Sequence, residues 1–476
     1  MTDPITDYPR EYGTYITAGA FVPDGVWPAE YDGAYLFGDG GSGHIYIRRA
    51  DGSVDYDQPF ATQAFGITDM TFVSEGFGVS LWYAVPGGVR KIVRPFEQPA
   101  VTGPLQFVPN LPTRMYDSRD PDNPLAAGVL RSIRTGVDGT TTRAVLVSLA
   151  YVGPTTDGFI TAWAARTPQP STANVNARAG EVVSNMAIVP VDETGRILLY
   201  SIANAHVVID LLGRFDEVDG PVRAGRFRPV DPTRLADTRE PFAADTNEFE
   251  RLPGSPLPRV RVPVLGRGGV PESGVSAVVL VVTGLSGANP GGGYVTATAG
   301  GAAWSGSANL NTNGNGDIRP NTVVVPVGSD GTVDLHLFSV ADVVVDVAGW
   351  FTDDTAASST AGRFISLPPT REVDTRIPLG FDRITATEVS THDPVSVPSN
   401  AAGLAQNMAI VDNAAEGFLT PFPEPPLPLV AAGNVTAPGQ VRSILTFTKL
   451  SATGTMSYYT IMDTDLVVDV TGYFQG

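Results

Sequence analysis

The chain has 476 residues, 42% of them hydrophobic and 17% charged, with a net charge of −19 and no cysteine. This composition builds packed cores and excludes a disordered acidic chain, a disulfide framework, thiolate metal sites and a cysteine nucleophile. The acidic balance speaks against nucleic acid and anionic membrane surfaces as partners, and no apolar run has the length of a membrane helix, so membrane insertion is not expected.

At roughly 100–150 residues per domain, three or four domains are expected. The 52 glycines and 40 prolines are spread along the chain, which suits many short strands joined by tight turns. Residues 1–98 form a first segment. It begins "MTDPITDYPREYGTY", which lacks the basic and apolar regions of a signal peptide; either export takes another route or the natural N-terminus lies elsewhere.

From residue 104 the chain repeats itself three times. The expected units are 104–218, 224–354 and 361–476. Each opens on a related motif: "FVPNLPTRMYDSR" (107–119), "FRPVDPTRLADTR" (227–239) and "FISLPPTREVDTR" (364–376). Each closes on another: "VVIDLLGRF" (207–215), "VVVDVAGWF" (343–351) and "VVVDVTGYF" (466–474). Between them recur "GFITAW", "GYVTAT" and "GFLTPF", read as one alternating strand, then "NVN" (174–176), "NLN" (309–311) and "NVT" (434–436). "VPVDETGRILLY" and "VPVGSDGTVDLH" read as hairpins turned at T-G or D-G. "VSAVVLVVTGL" (275–285) suits a central strand. Roughly eight short strands per unit predict a β-sandwich, with a β-trefoil as the alternative.

The closing motif places an aspartate inside an apolar run. Strand residues alternate faces, so Val343, Val345 and Val347 form a core face while Asp346 shares the other with Val344, Ala348 and Trp350. That mixed face is expected to be only partly covered. A half-buried carboxylate calls for a cation, and arginine offers a two-pronged donor. The expectation is that opener and closer are neighbouring strands and that an opener arginine clamps the closing aspartate, the clamp residues being Arg114, Arg119 and Asp210 in the first unit, Arg234, Arg239 and Asp346 in the second, and Arg371, Arg376 and Asp469 in the third. The same cluster could instead hold a sugar or an anion.

Other chemistry is sparse. His44, His206, His336 and His392 have no metal-ligand spacing, and no nucleophile elbow or phosphate loop occurs. "NTNGNGD" (311–317) lacks the first aspartate and the last glutamate of a calcium loop; "DSRDPDNP" (117–124) and "FTDDT" (351–355) read as solvated turns. "PFPEPPLPL" (421–429) reads as a stiff loop, and Trp163, Trp304 and Trp350 are candidate sugar platforms that also suit a core.

Two resemblances add to this. The units resemble a repeat of extracellular actinobacterial proteins with the hallmarks P-x-R-[LVI]-x-D-T-R and V-[IV]-V-D-V-x-G-[WY]-F, departing from it at Arg214, Glu372 and Val373. That family is appended to secreted enzymes or found in surface proteins and brings no catalytic residue to this chain. "TAGAFVPDGVWPAEYDGAYLFGDGGSGHIYIRRADGSV" (17–54) and "GITDMTFVSEGFGVSLWYAVPGGVRKIV" (66–93) resemble the last blades of the glucose/sorbosone dehydrogenase family. That family implies a β-propeller using pyrroloquinoline quinone (PQQ) and calcium, whose catalytic histidine and most cofactor ligands lie upstream of the matching stretch. The expectation is therefore an all-β chain: a partial propeller-like segment of about two blades, then three sandwich units. It implies a non-catalytic extracellular or cell-surface role with no cofactor in this chain, cell-wall or extracellular polysaccharide as partner, and self-association of the repeated units. The alternatives are the C-terminal part of a PQQ-dependent sugar dehydrogenase and a carbohydrate-binding array.

Overall fold

The computed structural model describes residues 8–75, 78–93, 103–239, 248–254, 257–288, 290–377 and 379–476. The first seven residues and the expected boundary at residue 98 lie outside the described residues. Among the described residues the regular elements are β-strands, apart from one 3-10 turn at Ala29–Tyr31. The chain is all-β.

Each unit winds eight strands into two facing sheets. In the first unit the inner sheet runs Val182–Pro190, Thr142–Val152, His206–Glu217, Leu105–Asp117, and the outer sheet runs Val175–Ala177, Gly158–Ala164, Arg196–Ser201, Arg131–Arg134. In chain order the first strand pairs with the eighth, the second with the seventh, the third with the sixth and the fourth with the fifth. Each unit is thus one long antiparallel ribbon rolled into a jelly-roll sandwich. The second and third units repeat these pairings, the second adding an edge strand at Glu250–Leu252. Two facing sheets rule out the trefoil alternative. The expected hairpins do not form: at "VPVDETGRILLY" the turn closes locally, with the Gly195 amide bonded to the Asp192 carbonyl, but its two strands enter opposite sheets. A turn sequence specifies reversal and not which neighbour each strand then finds.

The aspartate's face of each closing strand is buried, because the three units pack against one another about a common axis. Their meeting point is a ring of six phenylalanines, one from the start of each opener and one from the end of each closer. Taken in turn, Phe107, Phe215, Phe364, Phe474, Phe227 and Phe351 have centroids 5.1, 4.6, 5.2, 4.4 and 5.3 Å apart, and 4.3 Å from Phe351 back to Phe107 closes the circle. Contacts within a unit alternate with contacts between units, and all six rings are buried. Each such pair adds about 0.5–1.5 kcal/mol beyond the area it buries.

The ring explains the glycine of the closing motif. A methyl group on Gly213, Gly349 or Gly472 would stand 2.4, 2.4 or 2.3 Å from the ring of Phe107, Phe227 or Phe364. Strand register also slips beside each of these glycines, so the preceding residue bulges out of the ladder.

The N-terminal segment consists of two three-stranded antiparallel sheets, Ile16–Phe21, Tyr35–Asp39, His44–Arg48 and Asp69–Glu75, Gly78–Val85, Gly88–Ile92. It docks on the outer sheet of the first unit. Trp163, Ala165 and Leu198 join a core with Trp27, Leu36 and Leu81, and Arg196 pairs with Asp24 at 3.1 Å.

Candidate functional site at the seams between units

Opener and closer are neighbouring strands, and each P-T-R arginine lies directly opposite the closing aspartate in the ladder: Arg114 opposite Asp210, Arg234 opposite Asp346, Arg371 opposite Asp469. Arg114 Nε donates to Asp210 Oδ1 at 2.5 Å, Arg371 Nε to Asp469 Oδ1 at 2.8 Å, and Arg234 Nε makes the same bond to Asp346. The other arginine of each opener goes elsewhere. Arg119, Arg239 and Arg376 grip the aspartate of their own D-[ST]-R motif, with Nε to Oδ1 distances of 2.8, 2.9 and 2.8 Å to Asp117, Asp237 and Asp374. The P-T-R arginine joins the two carboxylates, since Nη1 of Arg114, Arg234 and Arg371 reaches Asp117, Asp237 and Asp374 at 2.7, 3.1 and 3.2 Å. Asp117, Asp237 and Asp374 are letters of the opener motif itself, and the charge count points to them: two arginines per opener need two carboxylates.

A further contact crosses the seams. Arg114 Nη2 donates to the Gly306 carbonyl of the second unit at 3.4 Å, Arg234 Nη2 to Leu429 of the third at 3.3 Å, and Arg371 Nη2 to Ser171 of the first at 3.3 Å. These acceptors are equivalent positions in the loop between the fourth and fifth strands, so the contacts run in a circle. The proline-rich loop at 421–429 is part of it. The closing aspartates were expected to be partly covered; Asp210, Asp346 and Asp469 are 4%, 2% and 3% exposed, because the next unit lies over them.

The electrostatics follow from this. The hydrogen bonds from Arg119 hold the Asp117 carboxyl down at about 2. Burial pushes Asp346 up to about 6 against the pull of Arg234, and burial also raises Asp469. Glu372 occupies an aliphatic position of the motif yet is buried. Burial opposes its charge, but His392, Ser396 and the backbone N–H of Val395 hold it down at about 2.

A cleft of about 660 Å³ opens at the seam between the first and third units. One wall is the Gln169–Ala173 loop with Phe159 and Tyr200; the other is Arg371, Arg376 and Asp469. Val411, Val441 and Val467 supply an apolar lining. Phe159 and Tyr200 form a tilted pair 6.3 Å apart on the outward face of the first unit's outer sheet. By strand register the second unit has Tyr294 where the first has Phe159, and Trp304 where it has Gln169. Trp304 there stacks near Tyr294 at 6.3 Å and donates to Thr296.

The remaining candidates resolve as structure. Trp163 is buried under the N-terminal segment and donates to the Thr167 carbonyl. Trp350 is half-buried at the rim of the second unit's core. His44 bonds to Tyr46, His206 to Ser118, His336 to Thr298 and His392 to Glu372. Asp317 is held by Arg319 and the Asn313 amide, and Asp353 caps Thr355. Among the described residues no three His, Asp or Glu side chains gather as a metal site. Asn434, placed with Asn174 by sequence, pairs opposite Phe418 and so corresponds to Asn176 and Asn311.

Among the described residues of the N-terminal segment no cluster of His, Asp or Glu forms that would hold calcium. Asp39 is buried and accepts from the backbone N–H groups of Thr14, Tyr15, Gly41 and Ser42 at 2.7, 2.9, 2.8 and 2.6 Å, which leaves its carboxylate no room for a cation.

No family model matches the chain, and no curated protein matches it. Among solved structures it is similar to a chain described under "The Triple Jelly Roll Fold and Turret Assembly in an Archaeal Virus", at 7% identity over 86% of this chain and 89% of that one, with a TM-score of 0.15. A likeness that weak bears on neither fold nor function.

Proposed function

We propose that the chain is a non-catalytic binding module of an extracellular or cell-surface protein, its three jelly rolls joined into one body that carries the N-terminal segment. One observation supports this above the others. The charged residues that recur in every unit are committed to one another and to the seams, so the repeated chemistry builds a scaffold. What the scaffold leaves open is a cleft with the mixed apolar and polar lining of a binding site. Localisation outside the cell rests on the family resemblance.

The competing reading, the tail of a PQQ-dependent sugar dehydrogenase, rests on the N-terminal resemblance alone. Incubating the chain with PQQ and calcium, then assaying sugar-dependent reduction of an acceptor dye, separates the two. The expected result is no reduction, together with retention on an insoluble cell-wall polysaccharide. PQQ-dependent dye reduction would overturn the binding-module reading.

A further inference from the structure

We infer that the cleft between the first and third units binds a neutral oligosaccharide, Phe159 and Tyr200 carrying the sugar faces and Arg376, Gln169 and Asn176 its hydroxyls. The inference rests on the binding-module reading and gives that reading a site and a ligand class.

Its ground is the set of groups left uncommitted at one place. Arg371 spends four of its five N–H donors on Asp469, Asp374 and the Ser171 carbonyl. Arg376 spends Nε and Nη2 on Asp374, which leaves Nη1 as a donor. Asn176 accepts from Ser443 through Oδ1, which leaves its amide N–H groups. Among the described residues the Gln169 amide and the Tyr200 hydroxyl have no protein partner. A sugar ring presents hydroxyls around an edge and C–H groups on its faces. The cleft matches both, with donors and acceptors beside a half-buried aromatic pair and an apolar lining.

Charge selects the neutral member of the class. The two arginines face two carboxylates, Asp469 and Asp374, so the cleft carries no excess positive charge to attract an anion. The chain as a whole carries −19 and repels polyanions. The volume of about 660 Å³ sits in the usual range for ligand pockets and accommodates several sugar rings. In the second unit the equivalent of Gln169 is Trp304, which stacks near Tyr294 at 6.3 Å and occupies the space beside that aromatic.

The test titrates the full chain with cellohexaose, maltohexaose and chitohexaose, and with hexagalacturonate as the acidic counterpart, by isothermal calorimetry. The expected result is binding of at least one neutral hexasaccharide, weakened about tenfold or more by Phe159→Ala with Tyr200→Ala, and likewise by Gln169→Trp. Phe159, Gln169 and Tyr200 are half-buried and Tyr200 also touches the core under the N-terminal segment, so the melting temperature of each variant is measured alongside; if the double variant fails to fold, Gln169→Trp decides alone. Tyr294→Ala in the second unit should leave binding unchanged. Failure of all three neutral probes, binding that survives Gln169→Trp, or binding of hexagalacturonate alone would overturn the inference. Polysaccharide retention that survives these variants would remove the cleft and leave the binding-module reading standing. PQQ-dependent dye reduction would remove that reading itself.

Discussion

The outer sheets of the first and second units share a strand order and meet opposite company. In the first, Trp163 and Leu198 pair across two strands, point away from their own core, and are 3% and 2% exposed because the N-terminal segment covers them. At the same positions the second unit has Thr298 and Asp334. Asp334 is 0% exposed and satisfied within its own unit: Arg261 grips it at 2.8 and 2.9 Å and the Gly301 amide adds a bond at 3.0 Å. One frame therefore closes the same patch in two ways, by borrowing apolar surface from a neighbour or by satisfying a charge from within.

The largest effect should come from breaking the borrowed cover. Trp163→Ala should cost about 3–5 kcal/mol and uncouple the N-terminal segment, seen as a second calorimetric transition. A single unchanged transition would mean that the segment is held by its ion pairs instead. Next, Arg234→Met leaves Asp346 buried beside a neutral side chain and should cost about 3 kcal/mol in urea unfolding; no loss would refute a stabilising clamp at the seams. Arg261→Met should cost about 2 kcal/mol, less because Arg259 still reaches Asp334 at 3.2 Å. Adding Asp334→Leu to Arg261→Met should recover most of that loss and make the second sheet resemble the first. The smallest effect concerns acid. Glu372 titrates at about 2 when folded against 4.5 ordinarily, so it stabilises above 4.5 and loses that contribution as pH falls from 4.5 through 2. Glu372→Gln should flatten that part of the acid unfolding curve. Asp346 has the opposite sign: raised to about 6, its contribution falls as pH rises from 3.8 through 6.

Much of one unit was legible in the sequence. Alternation separated Val343, Val345 and Val347 from Asp346, and the paired motifs made opener and closer neighbours. What lay beyond reach was everything that depends on a second unit. Val344, Ala348 and Trp350 beside an aspartate read as a half-solvated face, because alternation reports which residues share a face and not what covers it. The phenylalanines that begin the openers and end the closers were visible six times, yet nothing local says that a terminal Phe of one unit seeks the first Phe of another. The cleft was invisible for the same reason, since its two walls come from residues about 200 positions apart, as Arg371 and Ser171 are.

The phenylalanine ring sets an order on folding. Phe107 finds Phe351, Phe215 finds Phe364 and Phe227 finds Phe474, so each inter-unit link waits for chain made much later. Individual jelly rolls can collapse as they are synthesised, but the last links await residue 474, at the far end of the described chain. Until then a nascent chain carries an unfinished apolar rim, and a partner molecule caught at the same stage offers the same rim. The device that joins three units within one chain is therefore also the place where two half-made chains would join by mistake.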